Sequence, residues 1–144
     1  MKRFEHWATR SLHSFLKDEM HKPFAWGQND CCLFSANAIQ SFTGVDVALD
    51  FRNKYTTKLG AFKAIKTITG GTTVEDAAVY CANKFGLKER IHPLMAQRGD
   101  LAVFHNGDEV IAGLVHLNGR SVVSVSDNGT VILPITTIKR SWSV

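Results

Sequence analysis

Three Asn-Gly dipeptides in the last third of the chain constrain the fold most strongly. They occupy residues 106–107, 118–119 and 128–129 and separate four short runs rich in β-branched and apolar residues. Asn-Gly is a strong signal for a two-residue hairpin, because both central residues of that turn need positive φ. The pattern predicts four strands, over residues 101–105, 110–117, 121–126 and 130–135. Strands joined by such short turns pair consecutively, which predicts an antiparallel meander.

The first part of the chain follows a helical period instead. Apolar side chains at positions 4, 7, 8, 12, 15 and 16 recur on one helix face, which predicts an amphipathic helix over residues 3–18. We expect this helix to pack against the rest of the domain. The alternative is a docking helix for a partner chain.

Helix-capping residues predict three further helices. The first begins at Asp30 and ends at Gly44, since an N-cap carboxylate and a C-terminal glycine are typical of helix ends. The second begins at Thr56 or Thr57. The third begins at Thr73, three residues before an aspartate that can complete a capping box, and ends near residue 85.

Helices that precede an antiparallel sheet are typical of an α+β fold. We expect one domain over residues 1–144, with a helical part at about 3–86 and the sheet at about 100–135. The chain is 44% hydrophobic and 21% charged with a net charge of +4, which is ordinary for a globular domain. Its positive residues are scattered, so we expect no nucleic-acid partner.

The same composition argues against membrane and secretory classes. No apolar stretch approaches the roughly 18 residues of a membrane span, and the N-terminus does not resemble a signal peptide. Three cysteines are too few for a disulfide framework, so we expect synthesis in a reducing cytosol. Cys81 is expected to be a small buried hydrophobic residue.

Residues 26–34 carry the strongest chemical signal, Trp-Gly-Gln-Asn-Asp-Cys-Cys-Leu-Phe. If Asp30 caps a helix, Cys31 lies in its first turn, where free N–H groups and the positive end of the helix dipole favour the thiolate. A thiolate attacks carbonyl carbon, so Cys31 is the candidate nucleophile and Cys32 the lesser one. The second interpretation is structural: Asp30 caps the helix, and a small thiol lets the helix approach the sheet.

We predict no metal site and no cofactor. The chain has two groups of cysteine and histidine side chains, and neither has a recognised ligand spacing. The first group comprises Cys31, Cys32, His92 and His105, and the second His6, His13 and His21. The second group shares roughly one helical face, which we expect to be solvated.

A cysteine-led helix followed by an antiparallel sheet is the order found in papain-like hydrolases, and three segments resemble the NlpC-type cell-wall peptidases of bacteria and phages. Residues 26–31 resemble their Trp-Gly followed by Asp-Cys-Ser-Gly. Residues 98–104 resemble their Gly-Asp-Leu-Val-Phe-Phe strand, and residues 111–119 their His-Val-Gly-Ile-Tyr-Leu-Gly strand and turn. The resemblance implies a papain-like NlpC-type fold with Cys31 at the nucleophile position.

The same resemblance places the catalytic histidine at Ile111, which cannot accept a proton. The third, orienting position falls near Val123 or Ser124. His116 is a poor substitute, because an odd offset from residue 111 directs its side chain to the opposite face of the strand. His105 is the remaining candidate base. Pairing about the Asn-Gly turn would set residue 102 opposite residue 111, which leaves His105 roughly 10 Å from the place that the base should occupy.

The whole chain also resembles a family of small phage proteins without an assigned activity. They share Phe-x-Trp-Gly-x-x-Asp-Cys, here residues 24–31, a Gly-Asp strand near residue 100, and a tryptophan near the end, here Trp142. Their genes lie among tail-tip genes. The resemblance implies a structural component of a phage tail tip or baseplate, located in the virion and made in the host cytoplasm, with other tail-tip or hub proteins as partners. The alternative is an active cysteine peptidase that cleaves peptidoglycan peptides, with Cys31 as nucleophile and His105 as base.

Overall fold

Helices and an antiparallel sheet make up the computed structural model, which describes residues 1–144 and confirms the α+β prediction. The α-helices are α1 (His13–Glu19), α2 (Cys31–Thr43), α3 (Lys58–Thr69) and α4 (Val74–Lys84). The strands are β1 (Lys88–Glu89), β2 (Leu101–Asn106), β3 (Glu109–Val115), β4 (Ser121–Ser126), β5 (Gly129–Pro134) and β6 (Ile138–Ser143). None of the helices combines the length and the apolar character needed to span a membrane.

The six strands pair in the order β1-β6-β2-β3-β4-β5, and every neighbouring pair is antiparallel. The predicted meander is confirmed for β2 to β5. The predicted limits of the sheet, residues 100–135, are wrong, because β6 returns beside β2 and β1 pairs with the outer edge of β6. Neither strand has a hairpin signal of its own, since both pair with strands distant in sequence.

The hairpin between β2 and β3 has a different register from the expected one. Asn106 pairs with Glu109, so the two central residues of the turn are Gly107 and Asp108. Gly107 has a φ of +62°, as the first central residue of a type II′ turn does. Phe104 is therefore the direct partner of Ile111, in the place where the sequence predicts residue 102. Asn106, Asn118 and Asn128 all lack a positive φ, so the expected pair of central residues with positive φ is wrong at all three Asn-Gly sites.

The helix ends follow the predicted caps. Asp30 accepts a hydrogen bond from the Leu33 N–H at 3.0 Å, and Gly44 ends α2 with a φ of +77°. Thr57 caps α3, and Thr73 caps α4 within a complete capping box. These local bonds satisfy backbone donors that the helix itself leaves free.

The first helix begins later than predicted. A π-helical turn, Trp7–Leu12, leads into α1, and His6 before it has a φ of +58°. The apolar side of this segment packs on α2: the rings of Trp7 and Phe42 lie 5.3 Å apart, and those of Phe15 and Phe34 lie 5.5 Å apart. The packing interpretation is therefore confirmed for these side chains, and α2 is covered by this segment and by the sheet.

Asp100, in the Gly-Asp segment, is a buried structural residue. Its carboxylate accepts hydrogen bonds from the Arg90 guanidinium at 2.8 and 3.2 Å and from the Gln97 N–H at 2.8 Å. Arg3 lies 3.5 Å away and also donates to the carbonyl of Val144. This cluster links both ends of the chain to the start of β2.

Candidate functional site

The start of α2 faces a cleft of about 430 Å³. Its walls come from α2, α3, α4, the segment between α2 and α3, and parts of β2, β3 and β4, and 21 of its 29 lining residues are hydrophobic. All three cysteines of the chain line it, and none forms a disulfide. The few polar side chains include Lys58 at the start of α3 and two acidic residues beside the hairpins, Glu109 and Asp127. The site is therefore an apolar cleft whose charged side chains are exposed, apart from the buried Asp30.

Asp30 organises the wall that carries the cysteines. One carboxylate oxygen, Oδ1, caps α2 through the Leu33 N–H, while Oδ2 accepts from the Gly27 N–H at 3.0 Å and from the Tyr55 hydroxyl at 2.6 Å. The residue is 2% exposed. Burial, followed by the charge of Asp30, raises the pKa of Tyr55, so this hydroxyl remains a donor. All three hydrogen bonds hold the fold together, and they leave the Asp30 carboxylate few free acceptor sites for a ligand or a catalytic group.

Gly27 explains the glycine of the Trp-Gly pair. Its φ is +82°, and a Cβ atom at this position would lie 2.2 Å from the carbonyl oxygen of Tyr55. Only glycine fits both the left-handed conformation and this close approach. The Trp-Gly-x-x-Asp pattern is thus accounted for by the junction between the turn, α2 and the segment that ends at Tyr55.

The two adjacent thiols differ in environment. Cys31 is 8% exposed and lies in the first turn of α2, whereas Cys32 is half-buried beside it. The hydrogen bond with Cys31 and burial raise the pKa of Cys32 well above its usual value. Burial likewise raises the pKa of Cys81 to about 12. Cys32 and Cys81 are therefore protonated thiols at neutral pH.

Ile111, His105 and His116 lie near the position expected for the catalytic base, and of these three only Ile111 lines the cleft. Ile111 lines the cleft together with Cys31. His105 is exposed near the end of β2, and no histidine is among the lining residues. Because Phe104 is the direct partner of Ile111, His105 projects from the opposite face of the sheet to Ile111. His116 follows β3, where its Nδ1 accepts from the Asn118 N–H at 3.1 Å and burial lowers its pKa.

The pairing between β3 and β4 ends where these strands border the cleft. Only Leu114 and Val115 of β3 pair with β4. The next β3 carbonyl that points towards β4, that of Ala112, accepts a 2.5 Å hydrogen bond from the buried Ser124 hydroxyl. Ser124, expected near the orienting position, is therefore engaged within the sheet. Beyond this bond, Ile111 of β3 and Val125 of β4 line the cleft.

Gly113 lies in close contact with β4 and with Phe104. A Cβ there would be 2.5 Å from the Val123 carbonyl oxygen and 2.7 Å from the Phe104 ring. The close approach at Gly113 and the side-chain bond next to it mark the end of the regular ladder between β3 and β4.

Sequence reasoning missed Tyr55, the β3–β4 gap and the cleft itself. Tyr55 lies 25 residues from Asp30 in an irregular segment, and no local pattern links the two. The other polar residues of the cleft do not assemble a metal site, because no group of three or more His, Cys, Asp or Glu side chains is arranged to hold an ion. The geometry is suited to holding an apolar group.

A family model described as "Domain of unknown function (DUF6950)" matches residues 2–144. The match covers the helices, the sheet and every residue of the cleft. No curated protein matches the chain.

Proposed function

The chain belongs to the DUF6950 family, and we propose that it is a non-catalytic structural component of a phage tail tip or baseplate with an NlpC-type, papain-like fold. The proposal combines two supports. The first is the resemblance of residues 24–31, of the Gly-Asp strand and of Trp142 to small phage tail-tip proteins. The second, which carries the non-catalytic part, is the occurrence of Ile111 in the cleft that holds Cys31.

A cysteine peptidase needs an imidazole within hydrogen-bond reach of its thiol. Ile111 offers only hydrocarbon in the cleft of Cys31. The caps and bonds around Cys31 have structural explanations, since Asp30 is occupied by three donors. The cysteine-led helix is thus a feature of the fold that persists without the reaction.

The alternative, an active peptidoglycan peptidase, depends on His105. That side chain is exposed, lies on the face opposite to Ile111 and does not line the cleft. An active enzyme would have to rearrange β2 to bring it to Cys31. The arrangement of the residues therefore favours the structural role.

Exposed apolar residues support packing against other chains. Ile91 is 92% exposed, and Leu94 and Met95 are more than half exposed. They lie within five residues of one another in the segment between β1 and β2. Clustered exposed apolar side chains are typical of protein interaction sites. Within this proposal the partners are other tail-tip or hub proteins.

Thiol reactivity tests the non-catalytic part. We expect iodoacetamide to modify Cys31 slowly in the folded protein at neutral pH. Ile111→His should accelerate this modification and lower the pH at which it begins, because an imidazolium beside the sulfur stabilises the thiolate. Ile111→Gln is the matched control, because glutamine is similar in size to histidine and cannot become positively charged. A fast Cys31 in the wild-type protein, together with hydrolysis of peptidoglycan, would support the enzyme instead.

Mass spectrometry of purified virions tests the structural part. The proposal predicts that the chain is present in virions of the phage that encodes it, at a fixed ratio to the tail proteins. Replacing Ile91, Leu94 and Met95 by aspartate should release it from the particle while leaving its unfolding curve nearly unchanged. Absence from purified virions would overturn the proposed role.

A further inference from the structure

We propose that the cleft binds one long-chain fatty acid, with its alkyl chain among the apolar walls and its carboxylate at the start of α3. The inference rests on the size, lining and charge of the cleft. It is independent of the proposed virion role, since a protein in any location could hold this ligand.

The volume and lining of the cleft suit a single alkyl chain. An apolar cavity of about 150 Å³ accommodates one benzene molecule, so on that scale about 430 Å³ holds roughly 17 carbon atoms. Most binding pockets for small molecules are similarly apolar, with a few polar groups that fix orientation. Much of the wall consists of buried alanines, which leave a continuous space between the helices and the sheet: Ala36, Ala48, Ala61, Ala77, Ala78 and Ala112.

The start of α3 is the positive end of the cleft. Three helices begin at its wall, and two of them have an acidic residue that interacts with the free N–H groups: Asp30 for α2 and Asp76 for α4. The first turn of α3 has no acidic residue and begins with Lys58. A cation at a helix N-terminus is unfavourable, and a carboxylate beside it relieves the repulsion.

The acidic side chains of the cleft lie on other elements. Asp30, at the start of α2, is buried and already accepts three hydrogen bonds. Glu109 borders the β2–β3 turn and Asp127 lies in the β4–β5 turn, both on the sheet side of the cleft. They repel a carboxylate and so favour its placement at Lys58. No hydrogen bond or ion pair within the chain engages the Lys58 ammonium group, so it is available to a ligand.

Calorimetric titration with three 14-carbon probes tests the ligand class. We expect tetradecanoate to bind with one-to-one stoichiometry and tetradecylamine and tetradecanol to bind more weakly. Lys58→Glu should raise the Kd for tetradecanoate about tenfold or more, as loss of one charged hydrogen bond does. Lys63→Glu is the matched control, because Lys63 is exposed on the same helix outside the cleft, and it should change the Kd little.

Filling the cleft tests the position of the chain. Ala61→Phe places a ring in the cleft and should abolish binding. Ala64→Phe, on the same helix but outside the lining, should not. A brominated fatty acid should quench the fluorescence of Trp26, which lines the cleft, and the quenching should disappear in Trp26→Phe.

Either the wild-type protein or the Lys58→Glu variant can overturn the inference. Failure of tetradecanoate to bind, equal binding of the amine, or an unchanged Kd in Lys58→Glu would each contradict it. Bound tetradecanoate should also slow the alkylation of the cysteines by N-ethylmaleimide, since all three line the cleft. Unchanged alkylation at saturating ligand would place the fatty acid elsewhere and reject the site.

Discussion

Asp30 joins three pieces of the chain at the start of α2. Its two carboxylate oxygens bind the helix itself, the turn at Gly27 and the hydroxyl of Tyr55. A single buried carboxylate with three donors explains why aspartate precedes Cys31 without any reference to catalysis. The two neighbours of Asp30 in this arrangement can be tested separately.

Gly27→Ala should destabilise the protein much more than Gly70→Ala. Both glycines have left-handed φ values, +82° and +78°. A Cβ atom added at Gly70 would have nothing within 4 Å, so its replacement costs only the conformational strain, about 1–2 kcal/mol. At Gly27 the new Cβ would also meet the Tyr55 carbonyl oxygen at 2.2 Å. Urea unfolding of the two variants measures the difference, and equal losses would contradict this explanation of the motif.

Tyr55→Phe should lower the free energy of unfolding by about 1–3 kcal/mol, because the buried Asp30 carboxylate loses a donor that water cannot easily replace. Tyr80→Phe is the matched control. Its hydroxyl also donates to an aspartate at 2.6 Å, but that residue, Asp50, is partly exposed and also contacts Lys84. The control should lose less. A larger loss in Tyr80→Phe, measured by urea unfolding, would refute the role given to Tyr55.

Among the elements, β3 and β4 combine a regular ladder with a gap. They are paired at Leu114 and Val115, and a side-chain bond from Ser124 replaces the next ladder contact. The gap beyond gives the sheet side of the cleft its walls. The sheet side of the cleft thus includes the parts of β3 and β4 that do not pair with each other.

Ser124→Ala should destabilise the protein by about 1–3 kcal/mol, because the buried carbonyl of Ala112 then lacks its hydrogen-bond partner. Hydrogen exchange of the amides of β3 and β4 should also become faster. Ser121→Ala serves as the control, since the Ser121 hydroxyl only accepts from the exposed Asn118 side chain. If both variants unfold at the same urea concentration, the bond from Ser124 does not support the sheet as described.

Elements with local signals could be predicted from the sequence, and those that depend on distant partners could not. Asp30, Thr57 and Thr73 cap helices within their own next turn, so the pattern of nearby residues was sufficient. Strand β6 depends on β2 for its pairing, and its basic run at Lys139 and Arg140 gave no strand signal. The register of the first hairpin failed because Asn-Gly does not specify which two residues form the turn.

The candidate site shows the same division. The position of Cys31 at a helix start followed from local sequence, whereas its neighbours in the cleft come from three helices, three strands and the segment between α2 and α3. Tyr55 and Ile111 reach the cleft through tertiary packing alone. The resemblance to NlpC-type peptidases pointed to Ile111 as a residue near Cys31, whereas no local sequence pattern pointed to Tyr55.

At the scale of the whole molecule, one ion network joins the helical part to the edge of the sheet. Arg140 in β6 binds Glu89 of β1 at 2.6 and 3.0 Å and Glu75 of α4 at 3.3 Å, and Lys139 lies 2.7 Å from Glu75. Lys139 and Arg140 lower the pKa of Glu75, and Arg140 lowers that of Glu89. These pairs are partly exposed, so each contributes only weakly, but together they fasten the two strands that complete the sheet.

Arg140→Gln should therefore destabilise the protein in a pH-dependent manner. A carboxyl group whose pKa is lowered by folding stabilises the fold above its unfolded pKa, about 4.3 for glutamate, and this contribution is lost as the pH falls through the folded pKa. The difference in unfolding free energy between wild type and Arg140→Gln should be largest near pH 6 and shrink towards about pH 3. Urea unfolding across this range measures it. Lys88→Gln is the control, because it removes a neighbouring exposed charge that has no ion-pair partner, and it should show no such trend. If the difference in unfolding free energy between wild type and Arg140→Gln does not change with pH, the packing of Arg140 on Trp142 stabilises β6 and its charge does not.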